Sequence, residues 1–256
     1  MTDDPSQQFR LDDRIVLVTG ASSGLGERFA RTAAAAGARV ALAARRVDRL
    51  DSLAAEIPLA HAFSCDLSEP GQGESLVDRV VEHFGGIDVV VNNAGVSHVV
   101  PALDYPVEEF TRELQLDLVA PYAVARRAAS WMIPNGLSGS IINVGSVLGT
   151  VAGGRLRAPG YAAAKGGLHN LTRELASQWA RKGVRVNTLA PGWFASEMNA
   201  SMLETEGGRA YIDNGTPMGR QGRPHELDGA LLFLASAAST FVTGTVLYVD
   251  GGWTAI

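Results

Sequence analysis

The stretch Arg14-Ile15-Val16-Leu17-Val18-Thr19-Gly20-Ala21-Ser22-Ser23-Gly24-Leu25-Gly26 decides how the rest of the chain is read. Its first half is a short, β-branched, apolar run of the kind buried in a parallel sheet. Its second half is a glycine-rich turn, and a helical pattern follows through Phe29, Ala33 and Ala36 to Gly37. Strand, glycine turn and helix together make a phosphate site. The glycines let a pyrophosphate approach the backbone, and the helix end offers unpaired N–H groups and a positive dipole. Glycines also make plain turns, but the flanking strand and helix favour the phosphate.

Working outward, Arg39–Ala44 reads as a second strand with Arg45 and Arg46 at its carboxyl end. In dinucleotide sites an acid about 20 residues past the glycine turn takes the ribose hydroxyls of NAD, whereas arginine suits the extra phosphate of NADP. Ala44 stands where that acid is sought and Arg45 follows it. NADP(H) is therefore expected over NAD(H). The alternative is that Arg45, Arg46 and Arg49 are solvated charges at a helix start.

Further strands are read at residues 62–67, 87–95, 140–146, 183–190 and 245–252, and helices at 47–57, 75–84, 107–132 and 226–235. Asp66 ends the third strand and either meets the adenine or caps the next turn. Asn92 and Asn93 end the fourth, where buried amides must be paired. Pro121 implies a kink or break in the long helix. The irregular segment 193–224 is expected to cover a ligand. Alternating strands and helices predict an α/β fold, a doubly wound, mainly parallel seven-stranded sheet with helices on both faces. Ligands then bind at the carboxyl ends of the strands. Residues 1–256 are read as a single dinucleotide-binding domain.

Tyr161-Ala-Ala-Ala-Lys165 opens a helix whose apolar stripe is Leu168, Leu171, Leu175 and Trp179. Residues four apart stack on one helix face, which brings the phenol near the ammonium. A cation about 4 Å away at an effective dielectric of about 20 is worth around 4 kcal/mol. At about 1.4 kcal/mol per pKa unit, it could pull the phenol most of the way from about 10 toward neutrality.

The bulk numbers narrow the class. Hydrophobic content of 46% and charged content of 19% describe an ordinary globular chain. A net charge of −5 disfavours nucleic acid and anionic membrane as partners. Cys65 is the one cysteine, so no intrachain disulfide can form and a cytoplasmic setting is expected. No apolar run approaches membrane-spanning length. Residues 1–9 are polar and are expected to fray. No His, Cys or Asp cluster has metal-ligand spacing, so no catalytic metal is expected.

From about residue 11 to residue 252 the chain resembles the short-chain dehydrogenase/reductase family in its compact branch. The resemblance is carried by the 19–26 turn, Asp66-Leu67, Asn92-Asn93-Ala94-Gly95, Ser146, Tyr161-x-x-x-Lys165, Pro191-Gly192 and Val249-Asp250-Gly251-Gly252. Ser196 stands where the family usually has threonine. The resemblance implies that Tyr161 gives and takes the proton, that Lys165 lowers its pKa and holds the nicotinamide ribose, and that Ser146 steadies the substrate oxygen. It further implies that Gly20, Ser22, Ser23, Gly24, Leu25, Gly26, Asp66, Leu67, Asn93, Ala94 and Gly95 lie along the cofactor. Pro191, Gly192, Phe194 and Ser196 would meet its nicotinamide end. Asp117 occupies a position where the family often has asparagine. It is retained as a possible fourth catalytic residue that favours the charged lysine and opposes ionisation of Tyr161.

An NADP(H)-dependent carbonyl reductase or secondary-alcohol dehydrogenase, akin to the oxoacyl-thioester reductases, is the leading reading. An NAD-dependent alcohol, sterol or sugar dehydrogenase is the alternative, and a catalytically silent cofactor sensor on the same fold is a remote one. The expected substrate lining is His98, Val99, Leu148, Arg155, Leu156, Trp193 and Met198. Arg155 or Arg157 would either receive an acidic group or lie exposed. A homo-oligomer, with a tetramer favoured, is expected from the family. The apolar 231–234 helix and 246–249 strand serve either as its interface or as core.

Overall fold

Short apolar runs have become a single parallel sheet because each can bury both faces only between two helix layers. The computed structural model describes residues 4–256. The strands are β1 Ile15–Thr19, β2 Arg39–Ala44, β3 Ala60–Ser64, β4 Val89–Asn92, β5 Ser140–Val144, β6 Arg185–Pro191 and β7 Val246–Val249. Their order is β3-β2-β1-β4-β5-β6-β7, all parallel, with Val18 opposite both Leu42 and Val91. The order reverses between β1 and β4, which opens a crevice at their carboxyl ends.

The helices are α1 Gly24–Ala35, α2 Val47–Glu56, α3 Gln72–Phe84, α4 Val107–Leu114, α5 Ala120–Met132, α6 Pro159–Trp179, α7 Ala200–Leu203, α8 Glu206–Gly215 and α9 Asp228–Ala235. Alternate residues of β1 serve opposite cores. Val16 and Val18 pack with Phe29, Leu50 and Leu231, whereas Ile15 and Leu17 pack with Leu76, Ala128 and Leu175. Burying one such side chain contributes about 1.5–3 kcal/mol. Among the described residues no helix is long and apolar enough to cross a membrane.

Several expected boundaries move. The third strand runs over Ala60–Ser64 rather than 62–67, so Asp66 and Leu67 lie in the loop beyond it. The fifth ends at Val144, and Ser146 instead caps a short 3-10 turn, its Oγ accepting the Leu148 N–H at 3.1 Å. The long helix is interrupted by a π-helical turn over Gln115–Val119, where the Ala120 N–H reaches back to the Gln115 carbonyl. Pro121 is the cause. Its ring would clash with the Asp117 carbonyl in a regular helix, and the widened turn makes room.

The segment 193–224 is less irregular than expected and contains α7 and α8. Leu231 and Leu234 belong to the core, while all four residues of the edge strand β7 are half-buried. Of the tail expected to fray, residues 1–3 lie outside the described residues. Pro5–Phe9 forms a 3-10 turn in which Asp4 accepts the Ser6 N–H at 2.9 Å.

Candidate active site

The carboxyl ends of the strands enclose a cavity of about 670 Å³. Gly20, Ser22, Ser23, Gly24, Leu25, Gly26, Arg45, Arg46, Asp66, Leu67, Asn93, Ala94, Gly95, Ser146, Tyr161, Lys165, Pro191, Gly192, Phe194 and Ser196 all line it. Asp117 is fully buried behind the wall. The turn after β1 needs its glycines. Gly20 has φ +67°, and a Cβ there would stand 2.9 Å from the Ala94 Cα. A Cβ on Gly26 would stand 2.1 Å from the Gly20 carbonyl oxygen.

Asn93 holds that turn from the neighbouring strand, its amide donating to the Thr19 carbonyl at 3.0 Å. Asn92 faces the sheet instead, donating to Asn143 Oδ1 at 3.0 Å and to the Pro121 carbonyl at 3.2 Å. Asp66 caps the following turn, where its Oδ1 accepts from the Ser68 N–H at 3.0 Å and the Ser68 hydroxyl at 2.6 Å.

The two arginines after β2 differ. Arg45 is exposed and lies 3.9 Å from Asp66, whereas Arg46 is drawn over the glycine turn. Its Nε donates to Ser22 Oγ at 3.1 Å and its Nη2 to Ser23 Oγ at 2.5 Å. Ser23 is the N-cap of α1, yet its side chain caps no helix N–H.

At the other end of the cavity, Tyr161 and Lys165 sit one turn apart on α6 beside Ser146. Lys165 is buried. Its Nζ lies 5.4 Å from the Tyr161 ring centroid and 3.2 Å from Asp117 Oδ2, and it donates to the Val144 carbonyl at 3.1 Å. Asp117 Oδ1 accepts the Val96 N–H at 2.9 Å. Burial works against the charge on Lys165, but Asp117 and Tyr161 outweigh it and hold the ammonium above the ordinary lysine value. Burial also raises the Asp117 carboxyl, with Lys165 opposing. The Tyr161 phenol stands above its ordinary value because burial outweighs Lys165 and Asp117 adds to burial. The lysine alone therefore does not bring the phenol toward neutrality, as its helical spacing had suggested.

Two buried groups escaped the sequence. Glu113 lies one turn before Asp117 and is fully buried. It accepts the His98 N–H at 3.1 Å and the Tyr105 hydroxyl at 2.6 Å, tying down the loop that lines the cavity at Ser97, His98 and Val99. The spacing of four from Asp117 was the available signal. His169 lies one turn beyond Lys165, under Gly145 and Gly149, with Nδ1 3.2 Å from Thr150 Oγ1. Burial lowers its pKa to about 4.

His98, Val99, Leu148, Leu156, Trp193 and Met198, the expected substrate lining, also line the cavity. Arg155 was expected there too, but both Arg155 and Arg157 are exposed on a glycine-rich loop, and neither lines the cavity. Trp193, Tyr211 and Trp253 stack edge to face with centroids 5.4–5.7 Å apart, and the Tyr211 hydroxyl donates to the Gly153 carbonyl at 2.6 Å. These contacts fasten α8 to Trp193, which lines the cavity.

The family model described as Enoyl-(Acyl carrier protein) reductase matches residues 20–254. A galactitol 2-dehydrogenase (L-tagatose-forming) of Cereibacter sphaeroides is 39% identical over 249 residues, covering 96% of this chain and 97% of that one. A short-chain type dehydrogenase/reductase from Mycobacterium marinum superimposes with a TM-score of 0.94 at 36% identity, covering 99% of this chain and 100% of that one. The chain belongs to the short-chain dehydrogenase/reductase family. As a short-chain dehydrogenase/reductase it is an NAD(P)-dependent enzyme that moves hydride between nicotinamide and a carbonyl or alcohol carbon. A gluconate 5-dehydrogenase from Burkholderia cenocepacia, in complex with NADP and tartrate, has the same fold, with a TM-score of 0.92 at 36% identity and 98% coverage of each chain.

The cleft of this short-chain dehydrogenase/reductase fits the dinucleotide its family uses. With the Ser23 hydroxyl engaged by Arg46, the first N–H groups of α1 have no side-chain cap from it. The glycines leave the space that side chains would fill.

Proposed function

We propose that this enzyme interconverts a secondary hydroxyl of a neutral polyol or sugar with the corresponding ketone, using NADP(H). The observation that carries the chemistry is the convergence of Ser146, Tyr161 and Lys165 on one wall of the cavity that holds the glycine turn. The Ser146 hydroxyl donates to the substrate oxygen and steadies charge developing there. Tyr161 protonates that oxygen in reduction and removes its proton in oxidation. Lys165, held by Asp117 and the Val144 carbonyl, stabilises the phenolate and binds the nicotinamide ribose. The nicotinamide, when bound, supplies or accepts the hydride.

The remaining lining residues hold the cofactor. The turn Gly20, Ser22, Ser23, Gly24, Leu25 and Gly26 cradles the pyrophosphate, Asp66 and Leu67 meet the adenine, and Asn93, Ala94 and Gly95 lie along the chain between. Pro191, Gly192, Phe194 and Ser196 shape the nicotinamide end. Arg45 and Arg46 take the 2′-phosphate, with Arg46 already aimed over the turn.

Among the described residues lining the cavity, the fixed cations are Arg45 and Arg46, which follow β2, and Lys165, which is already paired with Asp117. That supports a neutral substrate, as galactitol is for the Cereibacter sphaeroides relative by its name, over an acid such as gluconate. The half-buried edge strand β7 and the exposed Phe241 support a homo-oligomer, for which a tetramer remains our reading. The buried, unpaired Cys65 is in keeping with the cytoplasm.

The test is a titration of NADPH and NADH by nicotinamide fluorescence on wild type, Arg45→Ala and Arg46→Ala, followed by oxidation of galactitol and gluconate. NADPH binding weakened by either substitution, and turnover of the polyol over the acid, support the reading. NADPH binding unaffected by both, or preference for gluconate, removes the corresponding part. Tyr161→Phe should lower the rate by roughly 1,000-fold while cofactor still binds.

A further inference from the structure

Glu197 follows Ser196 in the loop after β6, and its carboxylate reaches across the mouth of the cleft to the start of α2. Oε2 accepts from Arg46 Nη1 at 2.9 Å and Oε1 from Arg49 Nη1 at 2.6 Å. Arg46 is the same guanidinium that holds Ser22 and Ser23 over the glycine turn. The side chains of Glu197, Arg46 and Arg49 remain 57%, 43% and 52% exposed. Ion pairs this open to water add little to stability, so holding the fold together is a weak reason for the arrangement.

Its position is the better reason. One oxygen of the carboxylate takes an Arg46 donor that a phosphate would use, and the other takes Arg49. The two anions compete for one guanidinium, and a second anion beside the first is repelled. We propose that Glu197 tempers cofactor selectivity, its carboxylate standing in on Arg46 for the 2′-phosphate while Arg49 holds its other oxygen. With NAD(H) the arginines stay paired with Glu197, and the loop carrying Ser196 stays fastened to α2. NADP(H) must displace Glu197 or bind beside it. The residue thus narrows the preference for NADP(H) that the arginines alone would create. The hydrogen bonds from Arg49 and Arg46 pull the Glu197 carboxyl down to about 2, so it competes as an anion at any working pH.

This inference rests on the assignment of the 2′-phosphate to Arg46, and the experiment separates the two. Dissociation constants for NADPH and NADH are measured by fluorescence at one fixed ionic strength for wild type, Glu197→Gln and Arg46→Ala, with thermal midpoints to establish that each is folded. Glu197→Gln is expected to lower the NADPH-to-NADH ratio of dissociation constants by about tenfold, the worth of one charge-assisted hydrogen bond. A ratio unchanged within about twofold, or one that rises, overturns the proposal. If Arg46→Ala weakens NADPH while Glu197→Gln leaves the ratio alone, the phosphate assignment stands and the role of Glu197 falls. If Arg46→Ala has no effect on NADPH, both fall.

Discussion

Lys165 Nζ lies 3.2 Å from Asp117 Oδ2, and both side chains are withdrawn from solvent. The cation that serves Tyr161 is therefore shared with a carboxylate. Asp117 keeps the lysine charged and at the same time opposes ionisation of the phenol.

Removing that carboxylate should change the pH profile. Asp117 raises the Tyr161 pKa, so Asp117→Asn lowers it, and the phenolate that alcohol oxidation needs forms at lower pH. The rising limb of kcat/KM for oxidation is expected to move toward acid. A shift toward base, or an enzyme inactive at every pH, would contradict this.

The same pair makes a stability prediction. Lys165→Met leaves Asp117 buried without its cation and should cost about 3 kcal/mol, besides abolishing turnover. Lys165→Met with Asp117→Asn should recover most of that loss and stay inactive. Urea unfolding of the single and double variants measures the coupling, and purely additive losses would count against it.

His169 sets an acid limit on stability. It is held at about 4 against 6.5 for the free side chain, so the unfolded chain binds the proton more readily. Its contribution is complete above about pH 6.5 and fades as the pH falls toward 4. His169→Gln removes this dependence, and its urea midpoint should fall less than wild type between about pH 7 and about pH 5. Equal falls would show that other groups govern the acid limb.

Gly26→Ala tests the cradle. The new Cβ would meet the Gly20 carbonyl at 2.1 Å and the Asn93 amide at 2.5 Å, and the backbone cannot step aside cheaply. We expect kcat/KM to drop roughly 100-fold, as when a bound group is misplaced by about 1 Å. Wild-type kinetics would mean that the turn carries no phosphate.

Glu113→Gln keeps the shape of the side chain but loses an acceptor, so the His98 N–H and the Tyr105 hydroxyl can no longer both be served as they are. The loop at the substrate end should loosen. Substrate KM is expected to rise about fivefold, one hydrogen bond's worth, with the NADPH dissociation constant little changed. A fall in kcat alone would place Glu113 in the proton chemistry instead.

How much of this was legible depends on the range of the interaction. The buried strands, the glycine turn and the Tyr161–Lys165 stack are local patterns, because apolar runs and a spacing of four express backbone geometry directly. Asp117 could be flagged as a departure at a recognisable position, although the π turn that carries it follows from how Pro121 is accommodated. Arg45 against Arg46 was not decidable from order in the chain. The path of the backbone leaving β2 turns one guanidinium over the cleft and the other toward water. Glu113 was marked only by its spacing of four from Asp117, and Glu197 carries no local mark. The partners of Glu197 lie 151 and 148 residues away in the chain, and only the packing of loops against the sheet brings them together. Sequence alone thus determined the fold and the Tyr161–Lys165 stack, since both rest on short-range periodicity. The tertiary structure decided which charges meet, because Coulomb and hydrogen-bond terms depend on separations in space that spacing along the chain does not encode.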